Sequence, residues 1–215
     1  MRRLRQLLAL VMIVAGIATG ALSATLAVAS DARAATAVAP LPERLGDTGL
    51  YARGSTTRIA PENVPFTPQY PLWSDGAAKR RWLSLPAGTS IDAANPNAWE
   101  FPRGTRLWKE FSHGGRAVET RYIERLADGS WRFATYVWNP AGTEATLAPE
   151  QGVRALAVAA APGGRYAVPA RADCLACHDG APVPVLGDSC NALTPSTGTG
   201  APSWQARQSA RAGTA

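Results

Sequence analysis

Methionine is nearly missing from this chain of 215 residues: the only two are Met1 and Met12, so no thioether side chain is available beyond the first dozen positions. Histidine is equally scarce, at His113 and His178, and cysteine stops at Cys174, Cys177 and Cys190. Charged residues make up only 18% of the chain, and no block of five like charges occurs. The densest run, Lys79, Arg80 and Arg81, reads as a solvated strand edge. Four of the 22 basic residues and one of the 16 acidic ones precede Ala35, so without that segment the formal charge drops from +6 to +3. This balance argues against a nucleic-acid partner. There is no internal repeat, no Ser with a positioned His and acid, and no paired-carboxylate motif on one face, so no hydrolytic or general acid and base constellation is visible.

What is present begins with an export pattern. Arg2, Arg3 and Arg5 precede the apolar stretch Leu7 to Ala18, which thins into small residues before Ala32, Arg33 and Ala34. This is the layout of a secretory signal peptide over 1–34 with an A-x-A cleavage site. No charge interrupts Leu7 to Ser30, so the same stretch also fits an uncleaved inner-membrane anchor. Either way the Arg-rich end stays inside and the remainder faces the periplasm.

Hydrophobic residues at 46%, with 20 Gly and 17 Pro, suit a globular, loop-rich and strand-rich chain. Residues 35–168 read as a β-rich domain that opens with an extended arm, in which Leu45, Leu50 and Tyr51 are the pins. From Arg80 onward, short runs of Trp, Phe, Tyr, Val and Ile alternate with turn clusters. Two β-prone runs, Ala117 to Leu126 and Ser130 to Trp138, flank Asp128 and Gly129, which predicts an antiparallel hairpin. Its alternation puts Glu119, Arg121, Ile123 and Arg125 on one face and Val118, Thr120, Tyr122 and Leu126 on the other, one face buried and one wet. Six of seven Trp lie between Trp73 and Trp138, which reads as an aromatic core, with a carbohydrate-binding platform as the rival. The expected fold class is mostly β: an antiparallel sheet or sandwich, then a short helical segment over 169–187, then a disordered tail over 188–215.

The chemistry is concentrated in Cys174, Leu175, Ala176, Cys177 and His178, a C-x-x-C-H motif read as covalent attachment of one haem c. On a helical turn, residues three and four apart share a face, so both thiols can reach the two vinyl groups on one haem edge while His178 serves as the proximal iron ligand. Chance would produce the motif in roughly 4 of 10,000 chains of this composition. A thioredoxin-like pair would need a βαβ context, and zinc would have to recruit Cys190 and His113; both readings are weaker. Asp173 is placed to cap the helix start, and Gly180 with Pro182 to end it. His113 lies in a Gly-bearing turn and reads as an exposed turn residue, with a sixth iron ligand as the alternative. Lys79 and Lys109 read as solvated strand residues rather than ligands, and Cys190 as a lone thiol in a polar tail.

Taken together, Tyr70 to Trp82 (YPLWSDGAAKRRW), Phe101 to Ser112 (FPRGTRLWKEFS), Val118 to Trp138 (VETRYIERLADGSWRFATYVW) and Val168 to Leu186 resemble a family of bacterial exported proteins in which a β-rich domain precedes a cytochrome c-like haem region. The resemblance runs from about Leu41 to Gly187. It implies thioether positions at Cys174 and Cys177 and a proximal His178, while the strand motifs reveal no task; the leading reading, from the haem motif itself, is an exported electron-transfer or haem-binding protein whose periplasmic redox partner is not identified. Family members continue with further cytochrome-like sequence, whereas 188–215 here is Ala, Ser, Thr, Gly, Pro and Arg without an apolar face, which reads as truncated or frameshifted. Two alternatives to a closed electron carrier stay open: a haem with an open iron position acting as enzyme or ligand sensor, and a β domain that binds polysaccharide or protein with the haem secondary.

Overall fold

The period-two runs build a meander. In the computed structural model, which describes residues 38–68, 74–95, 98–178, 183–185 and 193–195 (Cys177 and the last three by backbone only), β1 (Val64–Pro68), β2 (Ala78–Ser84), β3 (Arg106–His113), β4 (Arg116–Arg125), β5 (Trp131–Trp138) and β6 (Ala145–Leu147) pair antiparallel, each beside its neighbour in sequence. A separate two-stranded sheet pairs β7 (Val153–Ala157) with β8 (Arg165–Val168), and one helix, α1 (Arg171–His178), follows. The protein is thus mostly β and antiparallel, as its alternation predicts. Within the stretch expected to be disordered, β9 (Leu193–Pro195) pairs with Phe66–Pro68 of β1; the other residues of 188–215 lie outside the described residues, as do 1–37 and the Gly180 and Pro182 stop signals. Among the described residues no helix is long and apolar enough to cross a membrane.

The Asp128–Gly129 hairpin forms at its predicted place. Gly129 takes a left-handed φ of 94°, and Asp128 Oδ1 accepts the Ser130 backbone N–H at 2.8 Å. The prediction that one of its faces is wet does not hold. Glu119 and Thr120, neighbours on opposite faces, are both 0% exposed. The reason is that separate parts of the chain cover each side of the sheet.

One face carries the aromatic row Trp82, Trp108, Tyr122 and is covered by the arm, whose Leu45, Leu50 and Tyr51 join it in one core. Four Trp (Trp82, Trp99, Trp108 and Trp138) are buried, which favours the core reading of the tryptophans. Polar ties fix the arm: Trp108 Nε1–H donates to Thr48 Oγ1 at 2.9 Å, the Tyr136 hydroxyl to the Pro42 carbonyl at 2.8 Å, and Asn63 Nδ2 to the Gly49 and Leu50 carbonyls.

The opposite face carries Leu83, Leu107, Ile123 and Phe133 in one row and is covered in two patches. Ile91, Trp99, Phe101 and Val185 close one end, and Tyr166, Val168 and Ala161 from the β7–β8 region close the other, over Val118 and Val137. Helix α1 packs on β5. Lys79, Arg80 and Arg81 pair with β3 on one side, while among the described residues β1 reaches only Trp82 and Leu83 of β2, so the other side of this run is an edge; Arg80 is exposed and reaches Glu110 at 2.9 Å, and Lys79 and Arg81 are half-buried on the second face.

Candidate functional site

Helix α1 reads RADCLACH, with no Gly, Pro or β-branched residue to oppose a helix. Its start is fixed twice. Asp173, in the first turn, reaches back so that Oδ2 accepts the Ala170 N–H at 2.8 Å, and the Arg171 N–H donates to the Glu150 carbonyl at 2.9 Å, tying the helix to the loop before β7. All three motif residues thereby lie in one helix, with Cys177 and His178 three and four places after Cys174, as attachment requires. Cys174 is half-buried in a crevice with Phe133, Leu147 and Pro149.

His178 packs its ring against Phe133, centroids 5.2 Å apart, and its Nδ1 lies 2.5 Å from the Pro184 carbonyl oxygen. A carbonyl only accepts, so Nδ1 carries the proton and Nε2 keeps its lone pair. Burial, with the positive charges of Lys109 and Arg121 behind it, pushes the imidazole below its ordinary range against the opposing pull of Pro184. The ring is neutral at neutral pH, with one nitrogen oriented by a carbonyl and the other able to bind a metal, the usual arrangement of a ligating histidine. On these grounds the residues present fit a haem held through His178.

His113 is elsewhere. It is 4% exposed at the last position of β3, its ring 5.4 Å from that of Tyr166, so it is not an exposed turn residue; the turn is Gly114 and Gly115. Since Leu107 stands opposite Ile123 and Ile123 opposite Phe133, His178 sits at the level of Leu107, whereas His113 is six residues further along β3, about 20 Å at the rise of a strand. The fold does not bring the two histidines together, which removes His113 as a sixth ligand to iron at His178. Cys190 lies outside the described residues.

Between these two positions the face is basic. Arg81, Lys109 and Arg121 stand directly opposite one another on β2, β3 and β4, and the next row holds Lys79, Phe111 and Glu119. Lys109 Nζ lies 4.9 Å and the Arg121 guanidinium 4.4 Å from the centre of the buried Phe111 ring. Burial and then the neighbouring cations push the Lys109 ammonium down to about 8, so it is half-buried and not a solvated strand residue. The sequence carries a signal for this row that went unread: Lys109 falls in phase with Leu107 and Phe111, and Arg121 with Ile123, each a charge in a run of buried positions.

Glu119 is the carboxylate of this region. Its Oε1 accepts from Arg121 at 2.7 Å and from the Tyr166 hydroxyl at 3.0 Å, while Oε2 has no partner among the described residues. Burial holds its pKa above the ordinary 4.5, with Arg121 opposing. A raised folded pKa contributes stability that is present below pH 4.5 and lost as pH rises through the folded value. Glu119→Gln is therefore expected to flatten that decline and to hold neutral-pH stability, whereas Glu119→Ala, which leaves Arg121 and Tyr166 unpaired, costs about 3 kcal/mol. Melting curves from pH 4 to 8 check this; equal losses in the two variants would contradict it.

Comparison with protein-family models, with curated proteins and with solved structures finds no match to this chain.

Proposed function

We propose that this chain is an exported c-type haem protein of the periplasm, carrying one haem through thioethers at Cys174 and Cys177 with His178 as proximal ligand, and serving electron transfer. The observation that carries this reading is the His178 Nδ1–H donated to the Pro184 carbonyl, which leaves Nε2 free on a helix that also bears both thiols. When bound, the group supplies a one-electron iron couple. The protein's part is to orient the imidazole, exclude water with Phe133 and the Val183 to Val185 segment, and surround the site with positive charge. The export reading rests on residues 1–34, and no nucleic-acid partner is proposed.

A second reading, an open iron position that binds a small ligand, is favoured by one observation: the spare histidine is about 20 Å of strand away, and no methionine follows Met12. One preparation tests both. Produced with a c-type maturation system, the full chain should keep its colour after acid acetone, and Cys174→Ala with Cys177→Ala should lose it entirely. Colourless protein from the unaltered chain, or covalent haem in the double variant, would overturn the proposal. In the coloured protein, a high-spin spectrum with ready carbon monoxide binding identifies the open site, and a low-spin spectrum a closed one.

A further inference from the structure

Three like charges directly opposite one another on adjacent strands destabilise a sheet, the more so when half-buried. Arg81, Lys109 and Arg121 are such a set, spanning two strand spacings, or about 10 Å. In register beside these three cations, among the described residues, stands one carboxylate, Glu119 of the next row, which Arg121 and Tyr166 already engage. Cations this short of countercharge in a half-covered face suit an anion that arrives from outside the chain. The row is immediately next in register to Leu83, Leu107, Ile123 and Phe133, and Phe133 is the residue on which His178 rests. Its length suits two carboxylates held side by side rather than a single point charge: Arg81 at one end offers a planar pair of donors, Lys109 an ammonium between, and Arg121 the donors that Glu119 does not take.

We propose that Arg81, Lys109 and Arg121 form the seat for the two propionate carboxylates of a haem attached to α1. This rests on the haem reading above and extends it to the sheet: the β domain would then be the other half of the haem site, gripping the polar edge of the macrocycle while α1 holds the vinyl edge. The shared chemistry is a dicarboxylate, so a free dianion is the rival occupant.

The test uses the full chain with Cys174→Ala and Cys177→Ala, so that binding is reversible, titrated spectroscopically with haemin and with haemin dimethyl ester, whose carboxylates carry no charge. The expected result is about tenfold tighter binding of haemin than of its ester. That preference should collapse toward unity when Arg81→Gln and Lys109→Gln are added; these two spare the Arg121 to Glu119 contact, and the ester itself reports whether the fold is intact. Equal binding of haemin and ester by the parent overturns the inference, as does a preference that survives the added substitutions. Succinate raising the Tm of the unaltered chain, with no such ester preference, also overturns it and identifies the row as a site for a free dianion. Colour after acid acetone in the unaltered chain separates the two failures: if it is retained while the ester preference is absent, only the propionate seat falls; if it is absent, the haem reading falls first.

Discussion

Gly152→Ala is expected to lower stability by at least about 3 kcal/mol and to dislodge the helix that bears the Cys and His motif. Gly152 has a φ of +69°, a left-handed conformation that side chains oppose. A Cβ there would stand 2.3 Å from the Val168 carbonyl oxygen and 2.7 Å from both the Ala170 nitrogen and the Pro169 carbonyl carbon. All three are backbone atoms, which cannot swing aside as a side chain would, and they lead into α1, whose first turn is held by Asp173 on Ala170 and by Arg171 on Glu150. Strain at this one position therefore passes straight to the site. Gly163→Ala is the control: its φ is +65°, but nothing lies within 4 Å of the added Cβ, so it should cost only about 1 kcal/mol. Denaturant unfolding of the two variants decides it, and equal losses would show that the close approach at Gly152 is relieved elsewhere.

Trp108→Ala should be of similar size, about 3–5 kcal/mol, with a fall in Tm of roughly 10 °C. Trp108 is 1% exposed in the middle of β3, with its ring 5.7 Å from that of Tyr122. Its Nε1–H is also the donor that holds Thr48, and Thr48 in turn donates its hydroxyl to the Leu45 carbonyl at 2.7 Å, stabilising the 3-10 turn Leu45–Thr48. Truncation thus leaves a cavity under the arm and removes its polar tie together. Trp108→Phe fills most of the cavity without restoring the donor, so it should recover most but not all of the loss, the shortfall being about 1 kcal/mol. Limited proteolysis should find the Leu41–Ile59 stretch more readily cut in both variants, and more so in the alanine protein. An arm left equally protected in Trp108→Ala would show that Leu45, Leu50 and Tyr51 hold it unaided.

What the chain's sequence determined alone is local. The Asp-Gly turn places its hairpin because the turn chemistry acts within four residues, and the C-x-x-C-H spacing assembles its three groups on one helix because i, i+3 and i+4 share a face whatever surrounds them. The pins Leu45, Leu50 and Tyr51 were legible for a similar reason, as apolar side chains in a polar, Pro-rich arm. Tertiary structure decided the remainder. Whether the second face of the sheet is wet depends on what returns to cover it, and β7, β8 and α1 begin 15 or more residues beyond the end of the hairpin at Trp138, so alternation within one strand could not exclude a buried Glu119. The distance between His113 and His178, the Pro184 carbonyl that selects the His178 tautomer, and the alignment of Arg81, Lys109 and Arg121 into one row are all set by register between separate segments. A spacing rule reaches one helical turn or one hairpin; burial and cross-strand charge are properties of the assembled sheet.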